Sequence, residues 1–253
     1  MANALGDFLR ARRTDERLSG SAPAGRRRIT GLRREEVAAA AGISVDYYVR
    51  LEQGRETHPS DAVLQALSDA LHLDRDAADH LRRLREPHPL PARIPDDALL
   101  ARMALLVETV RPSPAYVLDR LSTVIAANPE GLDLHEGLAA LPPAQRNTVR
   151  SLLLDPRSRE RFVEWEDLAR GAVAHLRAAN AHDLADPELV ALVDELSAQS
   201  DLFATWWGEH VVQRRRAAVT HIRTAAGTVE KRSYEVLHLP EDGVRMTLWL
   251  PAG

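Results

Sequence analysis

The chain has 253 residues, 45% of them hydrophobic and 28% charged, with no cysteine and a net charge of −4. This excludes disulfides, thiolate metal sites, cysteine nucleophiles and wholesale disorder. No apolar run approaches the ~18 residues of a bilayer span, and residues 1–13 carry no apolar signal region, so a cytoplasmic protein of two domains is expected.

Residues 1–86 are helical in pattern. In residues 4–13, Leu5, Phe8 and Leu9 make an i, i+3, i+4 stripe. Residues 14–31, rich in Ser, Gly and Pro, read as a loop. Helices are predicted over 33–41, ended by Gly42, and over 45–53, capped by Ser44 and ended by Gly54. Ser60 and Asp74 cap two more, with stripes of Val63, Leu64, Leu67 and Leu71, and of Ala77, Leu81 and Leu84. Five short helices make an all-α domain.

Prolines 87, 89, 91 and 95 mark a linker over residues 87–96. The second domain, 97–253, begins with a helix over 97–110. Short strands are predicted at 115–118 and 123–127, helical segments at 143–154, 158–180, 187–199 and 201–209, and three late strands at 217–223, 228–237 and 245–250. The fold class is multidomain, an all-α unit followed by an α+β unit with a five-stranded antiparallel sheet.

The charge is unevenly placed. Residues 10–34 hold nine arginines against Asp15 and Glu16, whereas residues 87–253 carry a net −5. Such asymmetry points to a basic contact surface at the N-terminal end. Within it, Ala38, Gly42, Ile43, Tyr48 and Leu51 have the spacing of a helix-turn-helix. There the second helix lies in the DNA major groove.

The stretch from Leu32 to Arg55, with Glu52-Gln53-Gly54, resembles the Xre/lambda-repressor-like regulators. Leu32-Arg33-Arg34-Glu35-Glu36-Val37-Ala38 followed by Ser44-Val45-Asp46-Tyr47-Tyr48 is more narrowly similar to the MmyB-like regulators. Ala115-Tyr116-Val117-Leu118, Ala127-Asn128-Pro129, Arg146-Asn147, Leu154-Asp155-Pro156, Trp206-Trp207 and Ser233-Tyr234-Glu235 resemble that family's ligand-binding domain. The resemblance implies a PAS-like second domain, a small apolar or amphipathic ligand with fatty acid foremost, and a homodimer on a palindromic operator.

Candidate DNA-binding residues are Arg26, Arg27, Arg28, Arg33, Arg34, Ser44, Val45, Asp46, Tyr47, Val49, Arg50 and Arg55. Arg50 suits guanine or phosphate, and Asp46 suits the positive end of its helix. Candidate ligand walls are Tyr116, Leu118, Val124, Phe162, Trp165, Trp206 and Trp249, with Asn128, Asn147 and Arg150 as polar anchors. For each aromatic the core is the stronger of the two readings. The chain has no His-Glu-x-x-His, P-loop, G-x-S-x-G or G-x-G-x-x-G, so no metal, cofactor or enzymatic activity is expected. A DNA-tethered enzyme and a protein-interaction module are the alternative readings of the second domain.

Overall fold

The computed structural model describes residues 3–15, 31–85, 96–239 and 243–251. Helices α1 (Ala4–Arg13), α2 (Arg34–Ala40), α3 (Val45–Glu52), α4 (Asp61–Ala70) and α5 (Arg75–Arg85) form the N-terminal unit. Side-chain oxygens start them. Asn3 accepts from the Gly6 amide, Ser44 from Tyr47, Ser60 from Val63 and Asp74 from Ala77. Gly42 holds φ at +64°, which lets the Ile43 amide reach back to the Ala38 carbonyl at 3.0 Å and close α2. Phe8, Leu9, Val37, Ala38, Tyr48, Leu51, Leu64, Leu67 and Leu81 are almost fully buried between these helices. The expected linker lies almost wholly at 86–95, outside the described residues.

The second unit opens with α6 (Asp97–Thr109), β1 (Ala115–Leu118), β2 (Val124–Ala127) and α7 (Pro129–Asp133). Then come α8 (Thr148–Leu154), α9 (Pro156–Arg161), α10 (Trp165–Ala179), α11 (Pro187–Gln199) and α12 (Asp201–Gly208). Strands β3 (Ala218–Arg223), β4 (Val229–Leu239) and β5 (Val244–Pro251) close the chain. The sheet is antiparallel with order β2-β1-β5-β4-β3, matching the five strands expected. Strand periodicity divides its core in two. Val117 and Met246 pack with Leu99, Met103 and Val107 of α6. Tyr116, Leu118 and Trp249 point the other way, into a larger cluster with Val149, Phe162, Leu168 and Phe203.

Two helical expectations are corrected. The segment 158–180 is not one helix. Between α9 and α10, Phe162 bridges Ile222 and the Val163 amide donates to the His221 carbonyl at 3.0 Å, so this stretch pairs with the edge strand β3. Residues 143–154 also divide, because Arg146 and Asn147 are extended and Asn147 caps α8. Helix α7 was not expected, although Asn128-Pro129 is a cap followed by a first-turn proline.

The two units touch. Val212 and Ala178 are buried in the same cluster as the N-terminal core. Asp76 of α5 accepts from the Arg214 amide at 2.9 Å and from Arg216 at 2.6 and 2.9 Å.

Candidate DNA-reading surface and ligand pocket

Helix α3 divides cleanly. Tyr48, Leu51 and Glu52 are buried, Tyr47 and Val49 are half-buried, and Ser44, Val45, Asp46 and Arg50 are exposed. Asp46 lies 3.6 Å from Arg50 one turn on, and the Arg50 guanidinium sits 5.7 Å from the Tyr47 ring centroid. Asp46 therefore both faces its helix N-terminus and steers Arg50. Arg33 and Arg55 are exposed beside this face. Arg26, Arg27 and Arg28 lie outside the described residues.

Arg34 was expected to approach DNA, and the structure gives it another partner. Its Nε donates to Glu52 at 2.7 Å, and Arg13 Nε donates to the same carboxylate at 2.6 Å. Glu52 is fully buried. Burial alone would push its carboxyl up, but the bonds from Arg13 and Arg34 outweigh this and hold it below the usual carboxylate range. The Glu-x-Gly ending of the motif is thus a clamp from α3 to α1 and α2.

In the second unit, the expected polar anchors are occupied elsewhere. Asn128 is buried; its Oδ1 accepts from Ala115 and Gly131, and its Nδ2 donates to Val107 and Ser113. Asn147 accepts from Val149 and Arg150 and donates to Leu121. Arg150 forms a two-pronged bond to Glu195. Among the expected walls, Val124, Phe162, Trp165, Trp206 and Trp249 sit in the packed core. Trp165 donates to the Leu152 carbonyl, and Trp249 to the Tyr116 hydroxyl at 3.3 Å.

Tyr116 and Leu118 border a small internal void of about 10 Å³, shared with His135, Leu152, Arg215 and Arg245. That volume holds at most one water. Arg245 is buried and donates to the Asp119 carbonyl and to Ser122 Oγ. His135 is buried, and burial foremost pushes it down to about 4.

Outside the void lies an open groove of about 640 Å³ between α10 and the extended strap 211–217. Leu168 and Arg215 border both spaces. The Arg215 guanidinium donates to the Leu168 carbonyl at 2.6 Å and lies 5.8 Å from the Tyr234 ring centroid. Three of the other charges on the groove are spoken for, Glu164 by Thr220 and His221, Arg170 by Glu209 and Arg216 by Asp76, and Asp167 and Arg214 also line it. Among the described residues, Arg215 stands between groove and void with one hydrogen-bond partner for its guanidinium, the Leu168 carbonyl.

The strap has two faces, as an extended chain must. Val212, the Arg214 amide and Arg216 engage the N-terminal unit. The Gln213 amide donates to Ala174, and the Arg215 amide to His175 Nδ1 at 3.0 Å, toward the second unit. Neither Arg215 nor Arg245 was singled out from sequence. The available signals were the Arg214-Arg215-Arg216 run and an arginine opposite Leu118 on a buried strand.

Fold and surface together define a helix-turn-helix protein joined to an α+β ligand-binding unit. Residues 4–81 match the helix-turn-helix domain, and residues 100–252, more than half the chain, match the MmyB-like transcription regulator ligand binding domain. The chain belongs to that family, a transcription regulator with a DNA-binding and a ligand-binding part. No curated protein matches the sequence. Among the described residues no group of three His, Asp or Glu is placed to hold a metal, and no helix is long and apolar enough to cross a membrane.

Proposed function

We propose that the chain is a cytoplasmic regulator that reads a palindromic operator as a homodimer. An amphipathic acid, a fatty acid in the simplest case, sets its affinity for DNA. The exposed face of α3 would enter the major groove, with Arg50 at a base edge and Arg33 and Arg55 near phosphate. The ligand's carboxylate would pair with Arg215 and its chain would displace the Arg215–Leu168 contact, entering between Tyr116, Leu118 and Leu152. The groove's size falls within the range of ordinary small-molecule sites.

The observation that carries this reading is the strap. One run of residues forms the groove's wall and the seat of α5, so a ligand that moves Arg215 moves Arg214 and Arg216 with it. A ligand biases DNA binding only if it favours one arrangement over another, and a strap displaced from its seat on α5 would be the second arrangement.

The test is mass spectrometry of organic extracts from the purified protein, followed by thermal titration with hexadecanoate. The reading predicts a saturable rise in Tm. Arg215→Ala should weaken the apparent affinity about tenfold or more, the loss of one charged hydrogen bond. An empty protein whose Tm ignores fatty acids contradicts the ligand reading.

A further inference from the structure

A second cavity, of about 190 Å³, lies in the seam between the two units. Four arginines line it: Arg83 from α5, Arg120 beyond β1, Arg214 from the strap and Arg245 from β5. No carboxylate lines it among the described residues. Two of these arginines have structural work. Arg120 donates to Asn180, Asp186 and Glu188, and Arg245 to Asp119 and Ser122.

Arg83 and Arg214 differ. Neither guanidinium has a hydrogen bond or ion pair among the described residues. The two carboxylates that act on Arg83 are engaged elsewhere, Asp79 by Arg82 and Asp76 by Arg216 and the Arg214 amide. Arg83 lies in the last turn of α5, where a cation suits the helix dipole. That does not explain why it faces a second cation. Burial first, and then Arg214, pull the Arg83 guanidinium below its ordinary value.

Histidines add to the lining. His175 accepts at Nδ1 from the Arg215 amide, so its neutral ring carries the proton on Nε2 as a donor. His182 and His238 complete the set. Burial, followed by the neighbouring arginines, keeps His175 well below its usual value. Among the described residues, every side chain that brings a charge to this cavity brings a positive one, and two of them repel across the joint. A partly desolvated cavity strengthens that repulsion.

We infer that the seam cavity binds a multiply charged oxyanion, a phosphate or diphosphate group, bridging Arg83 of the DNA-reading unit and Arg214 of the ligand-binding unit. The bound anion turns the repulsion into two charge-assisted contacts and ties the units together at the foot of the strap. The inference does not rest on the acid ligand: Arg214 lines both that ligand's groove and the seam cavity, whereas Arg83 lines only the seam cavity. The volume suits inorganic phosphate or pyrophosphate, or the diphosphate end of a nucleotide with its nucleoside outside.

The experiment titrates the full chain with pyrophosphate, with ADP and with sodium chloride at matched ionic strength, following Tm. Pyrophosphate should raise Tm saturably while chloride does not. ADP equal to pyrophosphate assigns recognition to the diphosphate alone, and tighter ADP adds the nucleoside to the same site. Arg83→Gln and Arg214→Gln each remove one of two repelling charges. Each should start with a Tm no lower than the parent and lose at least tenfold in pyrophosphate affinity. Arg82→Gln, exposed on the same helix, should keep the response. A pyrophosphate response no larger than that to chloride overturns the inference, as does parental affinity in both seam variants. The parent titration decides even if a variant fails to fold.

Discussion

Glu52 lies buried behind the exposed face of α3, yet it holds that helix in place. Its carboxylate is fully buried and bonded by Arg13 and Arg34, and its carbonyl accepts from Asn3 at 2.9 Å. Removing one partner of a buried ion pair leaves the others uncompensated. Glu52→Gln is therefore expected to cost about 3–5 kcal/mol of stability in urea unfolding. The outward Arg50 should behave oppositely. Arg50→Ala should leave Tm nearly unchanged and lower affinity for specific over non-specific DNA by about 1–3 kcal/mol. Equal losses on both would reassign Arg50 to phosphate. A third expectation concerns buried histidines. His80 is pushed down to about 3 by burial first and then by Arg177 and Arg83, and His135 to about 4 by burial. Both are neutral when folded and titrate near 6.5 when unfolded, so the unfolded chain binds more protons between these values. Stability should be full above pH 6.5 and fall steadily as the pH drops toward 4. A flat Tm across that window would contradict the burial.

At the scale of elements, the caps and stripes of the five N-terminal helices were legible because each end is fixed locally, by Ser44, Ser60, Asp74 and Gly42. The break at Phe162–Glu164 was not. Its cause is long-range: the edge strand β3, about sixty residues on, offers backbone groups that Val163 takes up. Glu164 locks the junction by accepting from Thr220 Oγ1 at 2.7 Å and from the His221 amide at 2.8 Å. The His221 amide bond foremost holds Glu164 down at about 2, against a smaller upward push from burial. Glu164→Gln should speed exchange of the Val163 amide while leaving that of β4 amides unchanged, read by hydrogen exchange. Unchanged protection at Val163 would show that the carboxylate does not hold this edge. The structural work of two polar anchors was hidden for a related reason. Asn128 and Asn147 have the look of site residues, but an asparagine before a helix is first of all a cap.

The whole molecule carries the property no local pattern shows, the way the two units meet. Nothing in the local sequence around Asp76 or 211–217 shows that the two belong together. Only the fold brings Asp76 onto Arg216 and the Arg214 amide, and seats Val212 in the N-terminal core. The basic N-terminal stretch and the acidic remainder, by contrast, were visible in the charge distribution from the start. Coupling between groove and DNA should run through this joint. Asp76→Asn weakens the seat without touching α3, so DNA binding should persist while ligand control is lost. The decisive measurement is the affinity of the full chain for an operator selected from random duplexes, with and without saturating hexadecanoate. The parent protein should show steeply salt-dependent binding that the acid changes about five-fold or more, and Asp76→Asn should bind with little or no such change. Saturable hexadecanoate binding with identical DNA affinity in its presence and absence would contradict the account.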